Sequence, residues 1–389
     1  MLNGYRIMDA DGHVVEPPSF WKEYLEPAYR DRAPYEDETP AAQRLLNQAA
    51  KFGLKGLLPN PARGMKIENE VVYNKISDEF WSRGIWEVVK NYTEPAIKRF
   101  DPTSQVTAMK KMGIDVSFVY PTLGLWVLAI DTMDPKLAGA LTRAYNNWLR
   151  DFCSYDTQVL RGVGAVNVHD PAEMVPELHR IAEFGWKAVF VHPTPVKGRL
   201  LCDPAYEPFW SECERMGIAV GIHEATHSRL PTTGSDRFHT RFGMHACSHP
   251  LEGMMALLAL LEGGVLERHP RLRVAFLEAG CGWLPYWLWR LDDLEYKNLA
   301  WEVRHNLKMK PSEYFRRQCF IACEPDEPYI HDIIKYVGED NLLFASDYPH
   351  MDHEPEIVGE LVELEKRLPR KTIQKILWDN PVRFYGLSE

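Results

Sequence analysis

Eight short runs of β-branched or aromatic residues punctuate the chain, and each ends in polar residues: "RIMDADGHV", "DVSFVYPT", "RGVGAVNVHD", "KAVFVHPT", "AVGIHEATH", "RVAFLEAG", "CFIACEP" and "LLFASDYPH". Near-continuous apolar strands of this kind are buried on both faces, which happens in parallel sheets covered by helices. The stretches between the later runs supply those helices. "DPAEMVPELHRIAEFG", "DPAYEPFWSECERMG" and "HPLEGMMALLALLEGGVLERHP" open on Asp-Pro or His-Pro and close on Gly or Pro, the start and stop signals of helices. Strand and helix in alternation fit a closed (β/α)8 TIM barrel of the α/β class, with an open doubly wound sheet as the other arrangement such units allow.

One stretch breaks the rhythm. Residues 17–100 follow the first run directly, are rich in Pro, Tyr, Trp and charge, and are too long for a βα loop. The expected organisation is one barrel domain over residues 1–389, with 17–100 inserted after strand 1 as a cap or lid over the mouth, or as a subunit contact. A second long connection, 226–250, carries His227, His239, His245 and His249 and is expected to overhang the same mouth.

Composition narrows the partners. The chain is 45% hydrophobic and 26% charged, enough for a sizeable core, and its net charge of −10 without a Lys/Arg tract argues against nucleic acid. The longest apolar stretch is broken by Glu262 and too short to span a bilayer, and a strand-like segment begins within the first ten residues, where a signal peptide would lie. A soluble, cytoplasmic protein is expected, acting on a small molecule and assembling as a homodimer or higher homo-oligomer. Seven cysteines without Cys-x-x-Cys read as free thiols; Cys319 and Cys323 share a strand face but make a poor metal site.

The polar residues fall where barrel chemistry sits, at the C-terminal ends of the strands. Asp11 and His13 close the first run, two apart and so on one strand face. His169 follows the third, His192 the fourth, His223 and Glu224 the fifth, Glu278 the sixth, Glu324 the seventh and Asp347 the eighth. His169, before Asp-Pro, is expected to be structural. If the first strand binds a metal, His223 and Asp347 stand where further ligands must stand, and two imidazoles with two carboxylates suit one divalent ion: Zn²⁺ first, then Mn²⁺, Fe²⁺ or Co²⁺.

These motifs resemble the amidohydrolase-related branch of the metal-dependent amidohydrolase superfamily, which contains aminocarboxymuconate-semialdehyde decarboxylase and the γ-resorcylate-type decarboxylases. The resemblance runs through "DADGH", "AVGIHEATH", "LEAGCGWLPYWLWRLDD" and "FASDYPH" and covers nearly the whole chain. It implies Asp11, His13, His223 and Asp347 as metal ligands, with Asp347 also able to handle a proton. One departure stands out. Aligned on Pro285 and Arg290, the histidine that those decarboxylases carry at the sixth-strand turn falls on Ala279, with Glu278 beside it. Glu278 is expected to replace that acid/base, or His192, His245 or His249 to reach in; the plainer alternative is that Glu278 pairs with Arg290. With that histidine displaced, the expected reaction is hydrolysis, a metal-activated water attacking an amide, ester or β-keto carbonyl. Non-oxidative decarboxylation of an aromatic or unsaturated acid is the alternative, and a barrel that keeps its metal without catalysis is the third.

Overall fold

The computed structural model describes residues 2–37, 64–68, 70–72, 78–325, 327–351 and 355–387. The expected strands are all present: β1 (Met8–His13), β2 (Val116–Tyr120), β3 in two pieces (Leu160–Gly162 and Gly164–Ala165), β4 (Ala188–Val191), β5 (Ala219–Ile222), β6 (Val274–Phe276), β7 (Cys319–Cys323) and β8 (Leu342–Phe344). Every pairing between neighbours among them is parallel. Strand order follows the chain from β1 to β3 and from β3 to β8. The ring closes between the second half of β1 and the segment just after β8, where the Asp347 N–H donates to the Asp11 carbonyl at 2.8 Å and the His13 N–H to the Tyr348 carbonyl at 2.6 Å. This is the TIM barrel, not the open sheet.

Residues of β4, β5, β6 and β8 are buried throughout, so their apolar runs face the barrel interior on one side and the helices on the other. Helix α1 (Met174–Glu183) and helix α2 (Glu207–Met216) follow Asp-Pro turns, as expected. Asp170 accepts from the Ala172 N–H and Asp203 from the Ala205 N–H at 3.2 and 2.9 Å, and Gly217 ends α2 at φ +65°.

Helix α3 departs from expectation. It runs Arg241–Glu262 with Pro250 inside it, so the 226–250 connection is loop only as far as Thr240, which caps the helix by accepting the Gly243 N–H at 3.2 Å. His-Pro therefore marks the middle of a helix, and His245 and His249 stand on its first half.

The 17–100 insertion is described in part; residues 38–63, 69 and 73–77 lie outside the described residues. What is described contains a small antiparallel sheet of Tyr35–Asp37, Gly64–Ile67 and Glu70–Val71, and the helices Phe20–Tyr24, Asp78–Asn91 and Thr93–Ile97. It touches the mouth loops. Arg229 donates to the Val71 carbonyl at 2.8 Å and pairs with Glu70 at 3.0 Å, and the Tyr92 ring stands edge-on to Tyr348 at 4.8 Å. Among the described residues no helix is long and apolar enough to cross a membrane, and all seven cysteines are free.

Candidate metal centre

β1 delivers its ligands through a break in register. The pairing of β1 with β2 shifts between Asp9 and Gly12, and this separates two kinds of aspartate. Asp9 is a brace: its carboxylate accepts from the Ser117 hydroxyl at 2.7 Å, the Ser346 hydroxyl at 2.8 Å and the Ser346 N–H at 2.9 Å, tying β1 to β2 and to the segment after β8. Position 12 must be glycine for this, because a Cβ there would stand 2.4 Å from Ser117 Oγ and 2.5 Å from Asp9 Oδ2. Asp11 is the opposite case. It is fully buried, and neither carboxylate oxygen has a hydrogen-bond donor.

Two imidazoles face Asp11. His13 shares a hydrogen bond between Nδ1 and the Pro121 carbonyl at 2.8 Å, and His223 between Nδ1 and the Glu224 carbonyl at 2.7 Å. A carbonyl only accepts, so each Nδ1 carries a proton and each Nε2, when the ring is neutral, presents a lone pair. Those Nε2 atoms lie 3.6 Å from Asp11 Oδ1 and Oδ2 respectively. They also face further carboxylates: His13 Nε2 stands 3.1 Å from Asp347 Oδ1, and His223 Nε2 stands 3.1 Å from Glu278 Oε2. Acceptors aimed at acceptors in a buried site repel one another unless a proton or cation lies between them.

Electrostatics expresses the same demand. Burial drives His13 down to about 4, leaving it neutral. Burial also pulls on His223, yet the carboxylates of Asp11, Glu278 and Asp347 outweigh it and push it up to about 10. Burial lifts Asp11 well above the usual carboxylate range. A cluster that forces a proton onto one member and an anion to neutralise itself is short of positive charge, and a divalent ion supplies it. Asp11, His13 and His223 bring ligand atoms within 4.8 Å of one another. The donor set fits.

Asp347 belongs to an adjoining cluster with His13, Glu278 and His350, whose ligand atoms are again within 4.8 Å of one another. His350 Nδ1 pairs with Asp347 Oδ1 at 2.7 Å, and its Nε2 meets Thr122 Oγ1 at 2.9 Å. Burial would raise both Glu278 and Asp347, but the surrounding imidazoles hold the two carboxyls below the usual range. Both residues sit at positive φ, +45° and +47°, in the left-handed region that non-glycine residues rarely adopt and that clusters at functional sites.

Glu278 does not pair with Arg290, which binds Glu295 at 2.9 Å. It stands between two imidazoles instead, with Oε1 3.4 Å from His249 Nε2. His249 Nε2 shares a hydrogen bond with Thr226 Oγ1 at 2.9 Å, and that oxygen meets Ser248 Oγ at 2.8 Å. His245 completes a third cluster with His249 and Glu278. His192 joins none of the three. Its Nδ1 bonds the His223 carbonyl at 3.1 Å, and its ring lines a small cavity of about 10 Å³ with His169, Thr142 and Phe190, room for one water. His169 bonds the Ile130 carbonyl at 2.8 Å and joins none of the three clusters. Glu324 belongs to none of the clusters either. His350 was not expected in the site, although it ends the motif "ASDYPH"; its position three residues after Asp347 was the available signal.

Known proteins share this frame. The amidohydrolase family model matches residues 80–387. A 2-amino-3-carboxymuconate-6-semialdehyde decarboxylase of Dictyostelium discoideum is 25% identical over 298 residues, 74% of this chain and 77% of that protein. The crystal structure of an amidohydrolase from Mycobacterium avium subsp. paratuberculosis superposes with a TM-score of 0.73 at 20% identity, covering 99% of this chain and all of the other. A 5-carboxyvanillate decarboxylase of Novosphingobium aromaticivorans, complexed with manganese and 4-hydroxy-3-methoxy-5-nitrobenzoic acid, gives a TM-score of 0.66 at 20% identity over 99% and 97% of the two chains.

Proposed function

This chain belongs to the amidohydrolase family, and on that premise we propose that it is a metal-dependent carboxy-lyase, releasing CO₂ without redox change from an aromatic or unsaturated carboxylic acid. The observation that carries this reading is the match to a decarboxylase over about three quarters of both chains. It favours the decarboxylase alternative over the hydrolysis expected from Ala279. The displaced histidine is less of an obstacle than its absence from the turn suggests, because Glu278 stands 3.4 Å from His249 Nε2 and the two offer a carboxylate and an imidazole side by side.

Asp11, His13 and His223 would hold the ion, with Asp347 beside His13 as the fourth donor; the mixed oxygen and nitrogen set accepts Zn²⁺ or Mn²⁺. A divalent ion there supplies Lewis acidity, drawing electron density from a substrate oxygen. The protein's own part is the proton. Decarboxylation breaks the bond between ring or vinyl carbon and carboxylate, and the electron pair left behind needs one proton at that carbon. His249 Nε2 and Glu278 Oε1 form the last link to the site, and Ser248, Thr226 and His249 form a hydrogen-bonded chain behind it. The proton comes from solvent: Glu278 takes it up, delivers it to that carbon and returns to the carboxylate, while His249, which burial drives down to about 3 and so keeps neutral, holds Glu278 in place. The part of the insertion that carries Glu70 and Val71 acts as a lid over the mouth, a role supported by the contacts of Arg229 with both.

One observation favours the second reading. A Glu278 held ionised by His249 and His223 acts more readily as a base activating water than as an acid, and that is hydrolysis. A panel of hydroxylated aromatic acids, amides and β-keto esters, followed for CO₂ and for oxygen-18 uptake from solvent, separates the two. CO₂ without label supports the carboxy-lyase; label in a product acid without CO₂ overturns it in favour of the hydrolase.

A further inference from the structure

We propose that the barrel mouth holds a second divalent-cation site, formed by His245, His249 and Glu278, with Glu278 as the carboxylate shared between it and the Asp11/His13/His223 centre. His245 and His249 are four apart on α3, which stacks them on one face of the helix. Their ring centroids are 4.6 Å apart and nearly perpendicular. The three ligand atoms lie within 4.8 Å of one another. Two imidazoles at i and i+4 with one carboxylate form a three-ligand set that leaves an open coordination position, the usual make-up of a zinc site that also binds water or substrate.

The shared carboxylate is the stronger argument. Glu278 aims its oxygens apart, Oε2 to within 3.1 Å of His223 Nε2 and Oε1 to within 3.4 Å of His249 Nε2. That is how a carboxylate lies when it bridges two ions, and the left-handed backbone at Glu278 places it there. Charge agrees. Asp11 and Asp347 bring two buried carboxylates to the mouth, and Glu278, whose side chain is 11% exposed, brings a third. His249 must exchange its Thr226 contact for the ion, and Thr226 keeps Ser248 as a partner at 2.8 Å. The proton chain of the proposed mechanism makes no use of His245.

The site stands independently of the reaction type, but one consequence rests on the carboxy-lyase reading: an ion held by His249 and Glu278 takes Glu278 out of proton traffic. Calorimetric titration of the stripped chain with Zn²⁺ is expected to give two binding steps and two ions per chain. His245→Ala is expected to weaken the second step at least tenfold and leave the first, while Asp11→Asn weakens the first; His245→Gln serves as the check, and unchanged melting temperatures certify the fold of both His245 variants. One ion in the wild type, or two undiminished steps in His245→Ala, overturns the site. Turnover followed in the same titration is expected to fall as the second step fills in the wild type and not in His245→Ala. Two bound ions with no such fall keep the site and overturn the proton role given to Glu278.

Discussion

On the wall of the mouth built by β1 and β5, the imidazoles of His13 and His223 are held by backbone carbonyls. On the wall built by the turns after β6 and β8, the carboxylates of Glu278 and Asp347 are held by the side chains of His249 and His350. The difference separates two kinds of work. A ring fixed by the backbone has one tautomer and one free lone pair, which suits a permanent ligand. A carboxylate fixed by an imidazole shares a proton with its holder and can pass it on. The first wall is made to keep a charge, the second to move one.

The largest effect that tests this division is loss of the ion itself. Asp11→Asn and His223→Ala are each expected to lower both metal content and turnover, the latter roughly a thousandfold. Wild-type values in both, by elemental analysis and assay, would remove the first wall from the chemistry. Next comes Glu278→Gln, expected to lower kcat about 10²–10⁴-fold with KM moved only a few-fold and the first ion retained. A change in KM alone would make Glu278 a binding group.

Stability effects come after these. Glu16, three residues past His13, accepts the Leu123 and Gly124 N–H groups at 2.9 Å and the Thr122 N–H at 3.2 Å, yet burial pushes its carboxyl up to about 7 from 4.5. Folding thus favours the neutral form, so its stabilisation is complete below the unfolded pKa and is lost as pH rises through the folded one. Wild type is expected to lose about 3 kcal/mol relative to Glu16→Gln across that window. A pH-independent difference in urea midpoints would mean that the three N–H groups satisfy the ionised carboxylate. Smallest is Ser346→Ala, which removes one donor from the Asp9 brace and is expected to cost about 1–3 kcal/mol, with ion affinity down less than tenfold. A larger loss of affinity would show that the brace serves the metal more than the fold.

The strands were readable because each is an apolar run whose burial leaves no alternative. Strand ends were equally plain, which put Asp11, His13, His223, Glu278 and Asp347 at one mouth before any contact was known. What escaped depends on distance and direction in space. The partner of Glu278 is His249, 29 positions earlier on a helix whose first half is masked by polar residues and by Pro250. His350 lies on a loop, where periodicity carries no information, and its role follows only from the turn that brings it back to Asp347. His192 ends a strand like the others, but it lies in none of the ligand clusters, its ring lining the small cavity beside His169.

The seam between β1 and the segment after β8 has a consequence for how the protein is made. Asp9 and Ser346 are separated by 337 positions. A ribosome releases Asp11 and His13 long before Asp347, at about 5–20 residues per second, so a nascent chain spends tens of seconds owning half of a centre. Long-range closure of this kind is slow and comes late. Any product that terminates before β8 leaves one edge of β1 unpaired and His13 without Asp347 opposite it, and so presents both a sticky edge and a poor grip on metal. An ion seated at this mouth certifies that the segment after β8 has joined β1.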